Sequence, residues 1–317
     1  MTDPPVAEGP SPPHEPAAET YRAYRRTLFA AGLLIDTGAD GLYGRSGDFE
    51  SVVAGLERLV GALGRDVGAR VVRFPPVLPQ ATFVKTDYLQ SFPSLAGAIV
   101  AFAGTDGDHA ALLARLETGQ PWADMLQPTD AVLCPAACHP LYPTLPADVP
   151  DDGSYFDVYG SVFRHEPSLD PARLVSFRMY ELVYVGVPEG ARAHRDRCLS
   201  QALEIIAGLG VDVSSSVAND PFFGRAGRIL AHTQRAEELK YEILAATSPV
   251  PSLTAVASAN GHEDHFGRAF GLRTSDGEPA HTACVGYGVE RITLALIWAH
   301  GPDLARWPAP VRAALWP

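Results

Sequence analysis

The sequence has no surplus of basic residues: 25 Lys and Arg stand against 37 Asp and Glu, a net charge of −12. A protein that grips a polyanion along its length normally shows a basic excess or a basic stripe. Here the basic residues are scattered in small groups, such as Arg25-Arg26 and Arg192 to Arg197. Extensive nucleic-acid binding is therefore disfavoured. No apolar run approaches the ~20 residues that span a bilayer. The first twenty residues, rich in Pro, Glu and Ala, lack the basic-then-apolar order of a secretory signal and are expected to form a disordered leader. A cytoplasmic protein is the expectation. Cysteine is scarce, with four in 317 residues: Cys134, Cys138, Cys198 and Cys284. In a reducing compartment these are expected to be free, buried or metal-bound rather than disulfide-linked. There is no internal repeat.

What is present suffices for a large core, since 46% of the residues are apolar. One large domain with a short N-terminal extension fits this length as well as two domains do. The pattern from Tyr21 to Leu34 is helical, with Tyr21, Tyr24, Leu28 and Ala31 on one face, and helical spacing resumes from Phe49 to Val60. Ala69 to Phe74 reads as a strand that Pro75-Pro76 stops. Helical segments are expected to dominate residues 95–130, followed by a short buried strand, Ala131 to Cys134. Asp157–Arg164 and Phe177–Val187 have β composition and form a long hairpin around a charged, proline-containing loop. Arg195 to Leu209 is an amphipathic helix, Ser252 to Ser258 a strand, and Ala283 to His300 a strand, a glycine kink and a helix. Strands with helices at their sides predict an α+β fold around an antiparallel sheet.

Three segments can carry chemistry. In Phe163-Arg164-His165-Glu166, strand alternation puts Arg164 and Glu166 on one face. Arginine there can clamp a phosphate bidentately, and a carboxylate can accept from an amine. A cross-strand salt bridge on a solvated face is the alternative. In Gly286-Tyr287-Gly288-Val289-Glu290-Arg291, the glycines allow close approach of a ligand or of backbone, and Arg291 opens an apolar helix. The segment is not a P-loop, because no Gly-Lys-Ser/Thr follows. A kinked helix start with a surface arginine is the alternative. Cysteine in Pro135-Ala136-Ala137-Cys138 and in Ala283-Cys284 can ligate metal or simply fill space.

Taken in this order, the Arg164 and Arg291 segments resemble motifs 2 and 3 of class II aminoacyl-tRNA synthetases, with Arg73-Phe74-Pro75-Pro76 as a degenerate motif 1. Cys138 stands where the seryl branch has a Thr-x-Glu segment. With Phe177-Arg178-Met179-Tyr180-Glu181, Cys284, Tyr88 to Pro93 and His262 to Gly267, the chain is similar to the zinc-dependent, seryl-like amino acid:[carrier protein] ligases over roughly residues 30 to 300. This resemblance implies a class II catalytic fold in residues 21–317, with no separate tRNA-binding domain. It implies ATP-dependent activation of a small amino acid, glycine or alanine, and transfer to the phosphopantetheine of a carrier protein by a homodimer. One zinc ion per chain is expected on Cys138, Glu181 and Cys284, with magnesium arriving with ATP. The nucleotide is expected at Arg164, Glu166, Arg173, Leu174, Phe177, Lys240, Ala255, Val256, Ala257, Ser258 and Arg291. The substrate amino acid is expected at Cys138, Glu181 and Asn260.

Alternatives remain beside several of these assignments. Lys240 among glutamates can be a solvated helix partner, and Cys134, Cys138 and His139 form a competing metal cluster. Cys198 reads as a buried hydrophobe. The Arg192, Arg195 and Arg197 surface is a candidate for docking an acidic carrier. Tyr180 stands where the family pattern has a basic residue. A seryl-like tRNA synthetase and a non-catalytic regulatory paralogue are the two rival functions.

Overall fold

A computed structural model describes residues 15–150, 152–218 and 238–317. The expected leader falls mostly outside these residues. Helix α1 spans Glu15–Ala30, starting before Tyr21 and ending before Ala31, where Gly32 takes a left-handed φ of 68°. Tyr21, Tyr24 and Leu28 are buried along one side, while Ala31 is exposed beyond the helix end. A two-residue hairpin, β1 (Leu34–Ile35) with β2 (Gly44–Arg45), leads into α2 (Gly47–Asp66). Ser46 caps α2 by accepting from the Phe49 amide, and Asp48 and Glu50 sit in its first turn, where the helix dipole favours negative charge. Phe49, Val52, Val53, Leu56 and Val60 form its buried stripe.

The central sheet has seven strands in the order β3-β7-β8-β12-β11-β10-β9. They are β3 (Arg70–Val72), β7 (Ser154–Phe163), β8 (Ser176–Gly186), β9 (Val213–Val217), β10 (Lys240–Ala245), β11 (Thr254–Glu263) and β12 (His281–Gly288). Every pairing is antiparallel except β3 with β7, which is parallel. The expected hairpin is β7–β8, and its loop runs between Phe163 and Ser176.

Helices α2, α6 (Pro188–Gly208) and α8 (Val289–His300) cover one face of this sheet. Close packing there depends on small residues in α2: a Cβ on Gly61 would stand 2.9 Å from the Tyr180 hydroxyl, and one on Gly64 3.3 Å from Leu182. Helix α9 (Ala309–Leu315) packs on α2. With the helices on one side, the opposite face is left to carry function.

Residues 95–130 depart from expectation. They hold one helix, α5 (Asp106–Glu117), between two strands, β5 (Ala98–Ala101) and β6 (Gln127–Leu133). With β4 (Val77–Pro79) these make a second, three-stranded sheet ordered β4-β6-β5. Strand β5 is short and mostly exposed, so it lacks the alternation that marks a half-buried strand. Helices α3 (Gln80–Lys85) and α4 (Tyr88–Ser91) close a small core of Leu78, Phe83, Tyr88, Val132 and Cys134.

Candidate active site

The cross-strand register assembles the open face. Val158, Glu181, Gly286, Ser258 and Glu242 form one rung across five strands, and Val183, Cys284, Asn260 and Lys240 another. Directly paired residues point to the same face, and alternation sends Glu181 to the open face but Tyr180 and Leu182 toward α2. Space at Gly286 is tight: a Cβ there would stand 3.1 Å from Met179 Cε, which would have to shift, and 3.6 Å from Glu181 Cγ.

Over this face folds the segment joining β6 to β7. The amides of Ala137 and Cys138 donate to the Glu181 carboxylate at 2.8 and 3.1 Å, which pins the turn and presents the Cys138 thiol. One ligand atom each from Cys138, Glu181 and Cys284 lies within 4.8 Å of the others, and all three residues are buried. Burial and the neighbouring Cys284 push the Glu181 carboxyl up to about 7. Cys284 is held well below the ordinary thiol range, first by its hydrogen bond from Cys138, and that bond pushes the Cys138 thiol up.

The three residues fit a zinc ion. Around a tetrahedral ion with bonds of ~2.3 Å to sulfur and ~2.0 Å to oxygen, donor atoms stand roughly 3.5–3.8 Å apart. Only a small inward movement is needed. The fully buried Tyr142 hydroxyl lies beside them, and its proton is held tightly by burial and by the charges of Cys138 and Cys284. Cys134 does not join them: it belongs to the small core and donates to the Ala136 carbonyl at 3.0 Å. Buried His139 packs against Tyr88 and Phe266, and burial pushes it down to about 3. Cys198 lies beneath the sheet on α6, in contact with His194.

A second cluster lies where β8, β12 and the start of α8 meet. The Arg164 and Arg291 guanidiniums rest 5.6 and 5.9 Å from the Phe177 ring centroid. Among the described residues Arg164 donates only over long distances, 3.4 Å to the Pro135 carbonyl and 3.9 Å to Met179 sulfur. Arg291 donates Nε to Ala172 O at 2.9 Å and Nη1 to Ala255 O at 3.0 Å. Neither arginine has a carboxylate partner among the described residues, unlike Arg178, which Glu290 and Glu50 hold at 2.6 to 2.9 Å. Two half-buried cations without counter-ions on an open face suit an anionic ligand.

The other expected residues are placed as follows. Strand β7 ends at Phe163, so Arg164 and Glu166 lie just past it, and Glu166 pairs with Arg173 at 2.9 Å across the loop. The open alternative was a cross-strand bridge on a strand face; the pair formed lies in the loop and leaves Arg164 out. Arg173 is otherwise exposed, whereas the Leu174 side chain is buried in the main core. Ala255, Val256, Ala257 and Ser258 lie in β11, where Ala255 holds Arg291. Lys240 is not a solvated helix residue: it opens β10, is buried, and pairs with Glu242 at 3.2 Å. Register sets it beside Asn260, two strands from Cys284 on the same rung. Asn260 brings Nδ2 to Ser258 Oγ at 3.1 Å and to Cys284 Sγ at 3.8 Å. On α6, Arg192 pairs with Glu189 and Arg195 with Asp196, so charge alone does not distinguish that surface.

Sequence reasoning missed Glu290, Tyr142 and His262 as site residues. Glu290 is 1% exposed and binds Arg178 and Arg45 at the start of α8, which fixes the helix that aims Arg291. An acidic residue in the first turn of an apolar helix was the available signal.

Tyr180 occupies its unusual position without touching the open face. Its hydroxyl donates to Asp157 at 2.6 Å, and Asp157 also pairs with Arg73 at 3.0 Å. Tyr180→Phe should therefore cost about 1.5–3 kcal/mol of stability in chemical denaturation, the range for a hydrogen bond to a charged group. Catalytic constants should be unchanged.

A sheet with helices on one face, and on the other a buried Cys-Glu-Cys trio and two arginines without a carboxylate partner among the described residues, is the architecture of the class II aminoacyl-tRNA synthetase fold. The solved seryl-tRNA synthetase of M. kandleri, in complex with A. aeolicus tRNASec, superposes with a TM-score of 0.75 over 98% of this chain and 62% of that one, at 21% identity. The cytoplasmic serine-tRNA ligase of Naegleria fowleri, in complex with AMP, gives 0.68 over 98% and 70% at 13% identity. These likenesses establish the fold. No family model matches the sequence. Amino acid--[acyl-carrier-protein] ligase 1 of Bradyrhizobium diazoefficiens is 41% identical over 280 residues, 88% of this chain and 86% of the relative. Ligase 2 of that organism is 38% identical over 312 residues, 98% and 92%. The type-2 serine--tRNA ligase of Methanococcus aeolicus is 29% identical over 201 residues, 60% of this chain and 38% of that protein. The chain belongs to the amino acid--[acyl-carrier-protein] ligase family.

Proposed function

We propose that the chain activates a small amino acid, glycine or alanine, with ATP and passes it to the phosphopantetheine thiol of a carrier protein. The observation that carries this reading is the buried trio of Cys138, Glu181 and Cys284 on the sheet face that also bears Arg164 and Arg291. In the first step a carboxylate oxygen of the amino acid bonds to the α-phosphorus of ATP, and the bond to pyrophosphate breaks. In the second, the thiol sulfur bonds to the acyl carbon, its proton is lost, and AMP leaves.

Such chemistry needs positioning and charge neutralisation more than covalent help. Arg164, with no carboxylate partner among the described residues, grips the α-phosphate, and magnesium arriving on the nucleotide adds further charge. Adenine is received between Phe177 and Arg291, with the Ala255–Ser258 backbone alongside and Glu166 and Arg173 at the loop. Cys138, Glu181 and Cys284 would hold zinc, which when bound supplies a Lewis-acid position suited to a neutral amine. Asn260 and Lys240, on the Cys284 rung, flank the substrate. No helix among the described residues is long and apolar enough to cross a membrane, and a homodimer acting in the cytoplasm is the expected form.

The test is amino-acid-dependent ATP–pyrophosphate exchange across the common amino acids, followed by a choice of acceptor. Label should reach the holo form of a carrier protein and not its apo form, through a linkage that hydroxylamine cleaves. Efficient charging of total tRNA, with none on any holo carrier, would restore the synthetase reading. Absence of exchange with every amino acid would favour a regulatory paralogue.

A further inference from the structure

Strand β11 is irregular where it passes the trio. Its pairing with β12 runs Asn260↔Cys284 and Gly261↔Ala283, then jumps to Glu263↔Thr282, so His262 is the residue that the register skips. Glu263 takes a left-handed φ of 49° to complete the bulge. Bulges of this kind re-aim a side chain next to active sites. The bulged His262 places Nε2 3.7 Å from Cys284 Sγ and Nδ1 3.0 Å from Thr282 Oγ1. Its ring packs edge-on against Phe266, with centroids 4.9 Å apart and planes at 69°.

Proton assignment follows from what each atom can do. A metal-bound thiolate only accepts, so Nε2 must carry the hydrogen that meets Cys284. In a neutral imidazole Nδ1 is then the acceptor, and the Thr282 hydroxyl must be its donor. Thr282 is fully buried and cannot turn to water instead. Two thiolates and a carboxylate around a divalent ion leave one net negative charge in a buried place, and N–H donors spread that charge. Glu181 receives two from the backbone, and Cys284 has His262 and Asn260.

We propose that His262, held in its Nε2–H tautomer by Thr282, is a positioning residue for the Cys284 thiolate, directing the sulfur and strengthening the metal's attachment. This rests on the zinc reading above. It differs from ligation by His262, which is outside the group whose ligand atoms converge within 4.8 Å.

Cobalt(II)-substituted protein provides the test, through its thiolate-to-cobalt charge-transfer band and through competition with a chromophoric chelator. His262→Ala should weaken metal binding about 10–100-fold, the range for outer-shell partners of metal ligands, and should shift the band. His262→Gln keeps an N–H donor but is a poor ligand, and should restore both. Thr282→Val should fall between. If His262→Ala does not fold, Thr282→Val reads the same hydrogen bond from behind. Wild-type affinity and band in His262→Ala would overturn the inference, and so would a glutamine variant as impaired as the alanine one, which would make His262 a ligand. A wild-type protein that takes up no metal would sink the zinc reading and this inference with it.

Discussion

Arg164→Ala is expected to lower amino-acid-dependent ATP–pyrophosphate exchange by about 10²–10³-fold, the loss that follows removal of one preorganised electrostatic contact. Its melting temperature should stay near that of the wild type, because among the described residues the guanidinium makes only the long contacts to Pro135 and Met179 and rests over Phe177. Arg291→Ala should show the same loss of exchange together with a measurable loss of stability. The sequence suggested no structural duty for Arg291, but its two hydrogen bonds tie the Ala172 end of the β7–β8 loop to β11 at Ala255. Near-normal exchange in Arg164→Ala would show that the phosphates are held elsewhere.

The sheet strands flanking the site were legible because their patterns agree with their burial. Leu182 to Val187 is apolar on both alternating sides, matching the buried second half of β8, and the Gly286-Tyr287-Gly288 kink is where β12 ends and α8 begins. Cys138 could be preferred over Cys134 only by resemblance. The physical reason for the difference is tertiary: the Glu181 carboxylate captures the amides of the turn around Cys138, while Cys134 faces a separate small core. That core was itself invisible, because β5 and α5 are too exposed to carry a burial pattern. The solvated-helix alternative for Lys240 fails for a similar reason. A lysine flanked by Glu237, Glu238 and Glu242 looks like a solvated helix surface, and only pairing of β10 with β11 buries it beside Asn260. His262 could not have been found from spacing, since a bulge breaks the alternation on which spacing arguments rest.

Removal of one trio residue should have the other large effect. Purified protein is expected to contain about one zinc per chain, and Cys138→Ala or Cys284→Ala should lose it. Two remaining protein ligands hold the ion far more weakly than three, so the loss should exceed the ~10–100-fold that outer-shell changes cost. Cys134→Ala should keep the metal, because its thiol is committed to Ala136 O in the small core. Its cost should be one of stability only. Proton linkage adds a second signature. The folded, metal-free protein holds a proton on Glu181 up to about pH 7, above the ordinary carboxylate range, because burial and Cys284 disfavour the charge. Between the ordinary value and 7 the folded state binds more protons than the unfolded chain, so metal-free stability should fall as pH rises through that window. Metal binding requires the ionised carboxylate, so its dependence runs the other way: affinity should weaken as pH falls through 7, and uptake should release protons. Calorimetry in buffers of different ionisation enthalpy, with metal content measured for each variant, reads both. If Cys134→Ala strips the metal while Cys138→Ala keeps it, or if no proton accompanies uptake near pH 6, the trio is not the metal site.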